Sequence, residues 1–166
     1  MNTTQAILDG TNDAAVQSAV VTLLNAKAYL ETVRSIIIPK KNAILKDFMY
    51  KVAEKHERRQ IGEYITDEKH AYLMSDEDFK HYMKACHAMY LEEGFNVKFE
   101  YCPVLIAESL ERDAKKALID IFEPYTGLSH HKLICSGLKN FNNYVEYITI
   151  LTTPKIKDFN LVTVNN

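Results

Sequence analysis

The chain has 166 residues, 47% of them apolar and 25% charged, with 20 Lys and Arg against 22 Asp and Glu for a net charge of −2. That length suffices for one hydrophobic core, and the near-balanced charge excludes a protein held to nucleic acid or to an acidic membrane by a global basic field. No apolar run approaches the roughly 20 residues of a membrane span, and the start Met-Asn-Thr-Thr-Gln-Ala lacks a basic and then apolar secretory pattern, so the expectation is a protein neither exported nor membrane-inserted.

Residues 1–12 are polar and end in the turn-forming Asp9-Gly10-Thr11-Asn12, which reads as a flexible N-terminal segment with Asn12 or Asp13 as a helix cap. From there Val16, Leu23, Leu30, Ile37 and Ile44 recur every seven residues, with Ala19, Ala26 and Val33 between them, the pattern of a coiled-coil-like seam. Such a stripe must be buried, either against later helices or against the same stripe of a second chain, and Val16, Leu23, Leu30 and Ile37 are the expected homodimer contact. Pro39 predicts a kink between Ile38 and Lys41, with a second helix running to about His56. Glu57 to Met74 reads as an irregular connection around Gly62.

Ser75 followed by Asp76, Glu77 and Asp78 predicts a capped helix start, with Phe79, Met83, Cys86 and Tyr90 on one face and Gly94 as the left-handed stop. The alternation of Phe95, Val97, Phe99 and Tyr101 with polar residues has the period of a strand, for which Phe159 to Val164 is the candidate partner. Pro103 opens the next predicted helix, with Ala107, Leu110, Ala114, Ala117 or Leu118, and Ile121 as its inner face. Ser129 caps a further helix, interrupted near Gly137, whose inner face is Ile134, Leu138, Phe141, Val145 and Ile148. The fold class is therefore mainly α: a helical bundle with a long Pro-kinked N-terminal helix and at most one small β-hairpin or strand pair. A single helical domain spans 13–154, and 155–166 form a tail.

The chemistry-bearing residues are scattered. Cys86, Cys102 and Cys135 are odd in number, widely spaced and set among apolar neighbours, which suits buried reduced thiols. His81 lies five residues before Cys86 and six before His87, about 140° and 120° around a helix. Neither that group nor His130-His131 with Cys135 reads as the paired spacing of a zinc site, and no metal and no cofactor is expected. Cys102 at a helix start is a candidate thiolate nucleophile if the fold brings a histidine and an acid to it. Glu108 with Glu111 is a candidate acidic pair, though it equally suits a solvated helix face. Lys40, Lys41, Lys46, Lys51, Lys55, Arg58 and Arg59 against Asp47, Glu54 and Glu57 leave a local charge of about +4, a candidate contact for phosphate or an acidic protein. The isolated glycines form no phosphate loop, nucleophile elbow or dinucleotide fingerprint, so no catalytic residue is assigned.

At Cys102-Pro103-Val104-Leu105-Ile106-Ala107-Glu108, Pro124-Tyr125-Thr126-Gly127-Leu128 and Cys135-Ser136-Gly137-Leu138 the chain resembles small proteins of uncharacterised function encoded by tailed bacteriophages and prophages. The resemblance covers roughly the second half. It implies a phage setting inside a bacterial host's cytoplasm and transfers no catalytic residue. The expectation is a non-enzymatic binding protein that modulates or inhibits a host macromolecule, a defence system included, by protein–protein contact. Alternatives are a nucleic-acid-binding accessory protein using the Lys40 to Arg59 segment, and a small hydrolase or transferase centred on Cys102.

Overall fold

The computed structural model describes residues 3–55 and 75–156, and the side chains of 52–55 are not among what it describes. The expected irregular connection at 57–74, the strand partner at 159–164 and all but the first two residues of the expected tail lie outside these residues. Among the described residues the fold is mainly α, with no strand: α1 (Thr3–Thr11), α2 (Ala14–Lys55), α3 (Asp76–Glu92), α4 (Pro103–Thr126), α5 (His130–Cys135), α6 (Leu138–Thr152) and a closing 3₁₀ turn, Thr153–Lys155. No helix among them is long and apolar enough to cross a membrane. The described residues divide into two compact units, one of those up to Leu30 with those from Ala107 to Ile156, the other of those between Glu31 and Ile106.

In the first unit, α2 contributes Val16, Ala19, Val20 and Leu23, α4 contributes Ala114, Leu118, Ile119 and Phe122, α5 contributes Leu133, and α6 contributes Phe141, Val145 and Ile148 to one core cluster. Each fully buried Leu or Phe adds about 1.5–3 kcal/mol of transfer free energy. Two polar residues of the interior satisfy themselves locally: the Thr149 and Thr152 hydroxyls donate to the carbonyls of Val145 and Ile148, each at 2.7 Å. Two expected inner faces are corrected. Leu110 and Ile121 of α4 are exposed, as are Ile134 and Leu138, because apolar residues occupy more than one face of these helices and packing selects the narrower set.

The polar lead-in contains a helix. In α1, Gly10 lies so close to Phe122 and Tyr125 that a Cβ there would stand 2.5 Å from Phe122 Cε2, and Thr11 is buried with its hydroxyl donating to Leu8 O at 2.8 Å. Lys155 donates to the Thr11 hydroxyl, so the residue read as the start of a tail ties back to α1. Asp13 caps α2, accepting from Ala15 N at 2.8 Å. At the other end, Gly137 takes φ 119° as the cap of α6, a conformation that separates α5 from α6 and that side chains with a Cβ disfavour.

In the second unit, α2 presents Val33, Ile37, Leu45 and Met49, α3 presents Tyr82, Cys86, Met89 and Tyr90, and Phe95 closes the set. The heptad seam holds through Ile37 and then slips: Leu45 is fully buried and Ile44 only partly. A straight α-helix falls about 20° behind a seven-residue repeat at each heptad, so after four heptads the inward position moves by one residue. The separate second helix expected beyond Pro39 is corrected too. α2 continues through it as one helix. Pro39 and Ser35 are both exposed, so the carbonyl deprived of its amide partner lies on an exposed residue.

Ser75 caps α3 as the sequence indicates, accepting from Asp78 N at 3.2 Å, and Gly94 follows its end at φ 89°. The expected strand at 95–101 is a run of turns. Phe95 N donates to Tyr90 O, Val97 N to Phe95 O and Tyr101 N to Lys98 O at 2.9–3.1 Å, which spends locally the donors a ladder would need.

Candidate functional site

The second unit contains a cleft of about 280 Å³ lined from three stretches of sequence. α3 supplies most of one wall through Phe79, Tyr82, Met83, Cys86, His87 and Tyr90, which at spacings of three and four share one helix face. Glu100, Tyr101, Cys102 and Leu105 supply another, because Pro103 starts α4 there and Cys102 is the residue before it, its carbonyl accepting from Ile106 N at 3.1 Å. α2 adds Lys41. Phe79 (42% exposed), Tyr101 (57%) and Leu105 (63%) put large apolar surface in water at a concavity.

Within the cleft the Tyr90 hydroxyl donates to Cys102 Sγ at 3.6 Å. Burial, ahead of that hydrogen bond, pushes the Tyr90 phenol well above its ordinary range, so it stays a donor at neutral pH. His87 Nε2 is 2.8 Å from Val97 O, and its ring meets Phe99 edge-on with centroids 5.6 Å apart. Glu100 holds φ 79°, a left-handed conformation uncommon outside glycine and asparagine. Cys102, a histidine and an acid therefore line one cleft, but the group hydrogen-bonded to the sulfur is a phenol that cannot serve as a base at neutral pH.

The basic segment does not form one face. Relative to Lys40, Lys51 lies within about 20° around α2, while Lys41 and Lys46 lie about 100° and 120° away on opposite sides. Lys40 is ion-paired with Glu93, Lys41 lines the cleft, and Lys46 and Lys51 stand 5.9 Å from the Tyr50 ring and 5.3 Å from the Phe48 ring. The Lys55 side chain, Arg58 and Arg59 lie outside the described residues. Of the candidate acidic pair, Glu111 is held by Lys115 at 2.7 Å, the ordinary i,i+4 arrangement of a helix surface.

The expected self-association stripe is packed inside the chain: Val16, Leu23, Leu30 and Ile37 are 0%, 0%, 4% and 0% exposed. These four side chains are therefore covered within the chain itself. The cysteines divide. Cys86 is buried, Cys102 partly so, and Cys135 is exposed against expectation. No group of three or more metal-ligating side chains occurs among the described residues. His131 and Cys135 are four residues apart on α5, and Nε2 lies 3.6 Å from Sγ.

Comparison with known proteins brings no match: no family model, no curated protein and no solved structure is similar to the chain.

Proposed function

We propose that this is a non-enzymatic binding protein of bacteriophage origin, acting in the host bacterial cytoplasm by occupying a surface on a host or phage protein, and that the cleft of the second unit makes the contact. One observation carries the reading: an apolar concavity whose rim residues Phe79, Tyr101 and Leu105 are exposed. Large aromatic and aliphatic side chains left in water around a concave surface are what a partner's buried anchor requires. The phage setting rests on the resemblance of the second half, and that resemblance includes Cys102 and Leu105 of the cleft wall. A host defence component is one target of this kind.

A hydrolase or transferase centred on Cys102 is the second reading, favoured by the presence of His87 and Glu100 in the same cleft. Against it stands the Tyr90 contact, which gives the sulfur a donor and no base.

Affinity capture from a bacterial host lysate tests the first reading when it is run with paired variants. Leu105→Arg should lose the captured protein at least tenfold, since Leu105 is 63% exposed and its replacement spares the core. Lys46→Glu with Lys51→Glu should retain it. Retention by Leu105→Arg, or loss only in the charge-reversed variant together with a steep salt dependence, would transfer the function to the basic segment.

A further inference from the structure

We propose that His131 and Cys135 form a two-donor chelate for a borderline or soft divalent cation of the zinc or cadmium type, on the exposed surface of α5. The site is independent of the cleft and shares no residue with it.

The geometry carries the inference. Residues four apart on a helix lie about 40° apart around the axis and one turn along it, so both side chains emerge on the same face. His131 and Cys135 are both exposed, and Nε2 stands 3.6 Å from Sγ. A tetrahedral zinc ion with a Zn–N bond of about 2.0–2.1 Å and a Zn–S bond of about 2.3 Å sets its nitrogen and sulfur about 3.6 Å apart. The two donors therefore already stand at the edge length of that coordination figure. Metal entry replaces the proton between them, with side-chain rotation bringing the imidazole lone pair onto the ion.

The surroundings keep the pair in place. Ser129 caps α5, accepting from Lys132 N at 3.2 Å, and buried Leu133 anchors the helix to the core. The neighbouring His130 is turned to the Phe141 ring, centroids 5.3 Å apart, which leaves His131 as the imidazole directed to the thiol. The Lys132 ammonium, beside His131 in sequence, donates to Gly127 O at 3.1 Å. One imidazole nitrogen with one thiolate selects zinc, cadmium or cobalt over magnesium and calcium, which require oxygen ligands. In the binding step the Cys135 thiol releases its proton to solvent, bonds form to Sγ and Nε2, and the six-coordinate aqua ion sheds four waters to become four-coordinate. Two positions remain for water or for a donor from another molecule, so the site is a labile surface chelate.

Titration of the reduced full chain with Cd²⁺ and Co²⁺, read by ultraviolet thiolate-to-metal charge-transfer absorption, tests this. The expected result is saturation at one metal per chain, abolished by Cys135→Ser, weakened at least tenfold by His131→Ala, and unchanged by Cys102→Ser. Circular dichroism should be unaltered, since both substituted residues are exposed. In parallel, Zn²⁺ should slow alkylation of Cys135 by iodoacetamide at least tenfold in the parent and not in His131→Ala. Absence of a band in the parent, a band that survives Cys135→Ser, or equal affinity in His131→Ala would overturn the proposal and leave the 3.6 Å contact as a thiol–imidazole hydrogen bond.

Discussion

The Tyr125 hydroxyl donates to Asp13 Oδ2 at 2.6 Å, joining the residue that caps α2 to the last turn of α4 across 112 positions of sequence. That hydrogen bond, followed by the one from Ala15 N, holds the Asp13 carboxyl below its ordinary 3.8. A carboxylate depressed in the folded state stabilises the fold above its unfolded pKa, and the contribution disappears as pH falls through the lower folded value. Tyr125→Phe removes the largest cause of the depression. The variant should melt below the parent at pH 6, and the gap should narrow at pH 2.5. Equal gaps at the two pH values would show that Asp13 does not titrate against Tyr125.

Packing on α4 gives a sharper contrast. Leu118 is fully buried among Phe122, Val145 and Ile148, whereas Leu110 on the same helix is 49% exposed. Leu118→Ala should cost about 2–5 kcal/mol, the range for deleting a buried leucine side chain. Leu110→Asp should stay within about 0.5 kcal/mol, as surface substitutions do. Chemical denaturation of the two variants checks the assignment, and the reverse order would place the wrong face of α4 in the core.

Gly10 tests whether α1 belongs to the folded unit. In an isolated helix, alanine would be favoured over glycine by roughly 0.5–1 kcal/mol. Here the added Cβ would stand 2.5 Å from Phe122 Cε2 and 2.9 Å from Tyr125 Cγ. The overpacking should reverse the sign and cost about 1–3 kcal/mol. A Gly10→Ala variant that melts at or above the parent temperature would mean that α1 is not docked on these rings.

The parts of this fold that are readable in sequence are those set by neighbours in sequence: the Ser75 cap, the start of α4 at Pro103, the break at Gly137 and the seam from Val16 to Ile37. What escapes reading is decided at long range. Thr3–Thr11 is a nine-residue helix with little local support, and it packs on Phe122 and Tyr125, more than a hundred residues away. The strand pattern at 95–101 is overruled by local turns that end in a left-handed Glu100. The cleft draws on α2, α3 and the start of α4, and no single one of these segments carries a motif for it. The shared helix face of His131 and Cys135, four residues apart, escapes a reading that looks for the paired spacing of a zinc site.

The long seam of α2 decides the last prediction. A regular heptad stripe looks the same in sequence whether it meets a second chain or the chain's own helices, because both partners offer apolar side chains at helical spacing. Here Leu23 is fully buried in a cluster with Leu118, Phe122 and Ile148, so the stripe already has its partner. A glutamate at that position would place a carboxylate in an apolar interior with no complementary donor, which is among the costliest of single substitutions. Leu23→Glu should therefore abolish cooperative unfolding of the first unit, with a loss of at least about 4 kcal/mol. Circular dichroism melts paired with light scattering separate the two cases. If the stripe were a dimer interface, Leu23→Glu would give a folded chain of 19.1 kDa from a parent of twice that mass. If the stripe is core, the variant loses its melt whatever the mass of the parent, and that is the outcome the burial of Val16, Leu23 and Leu30 requires.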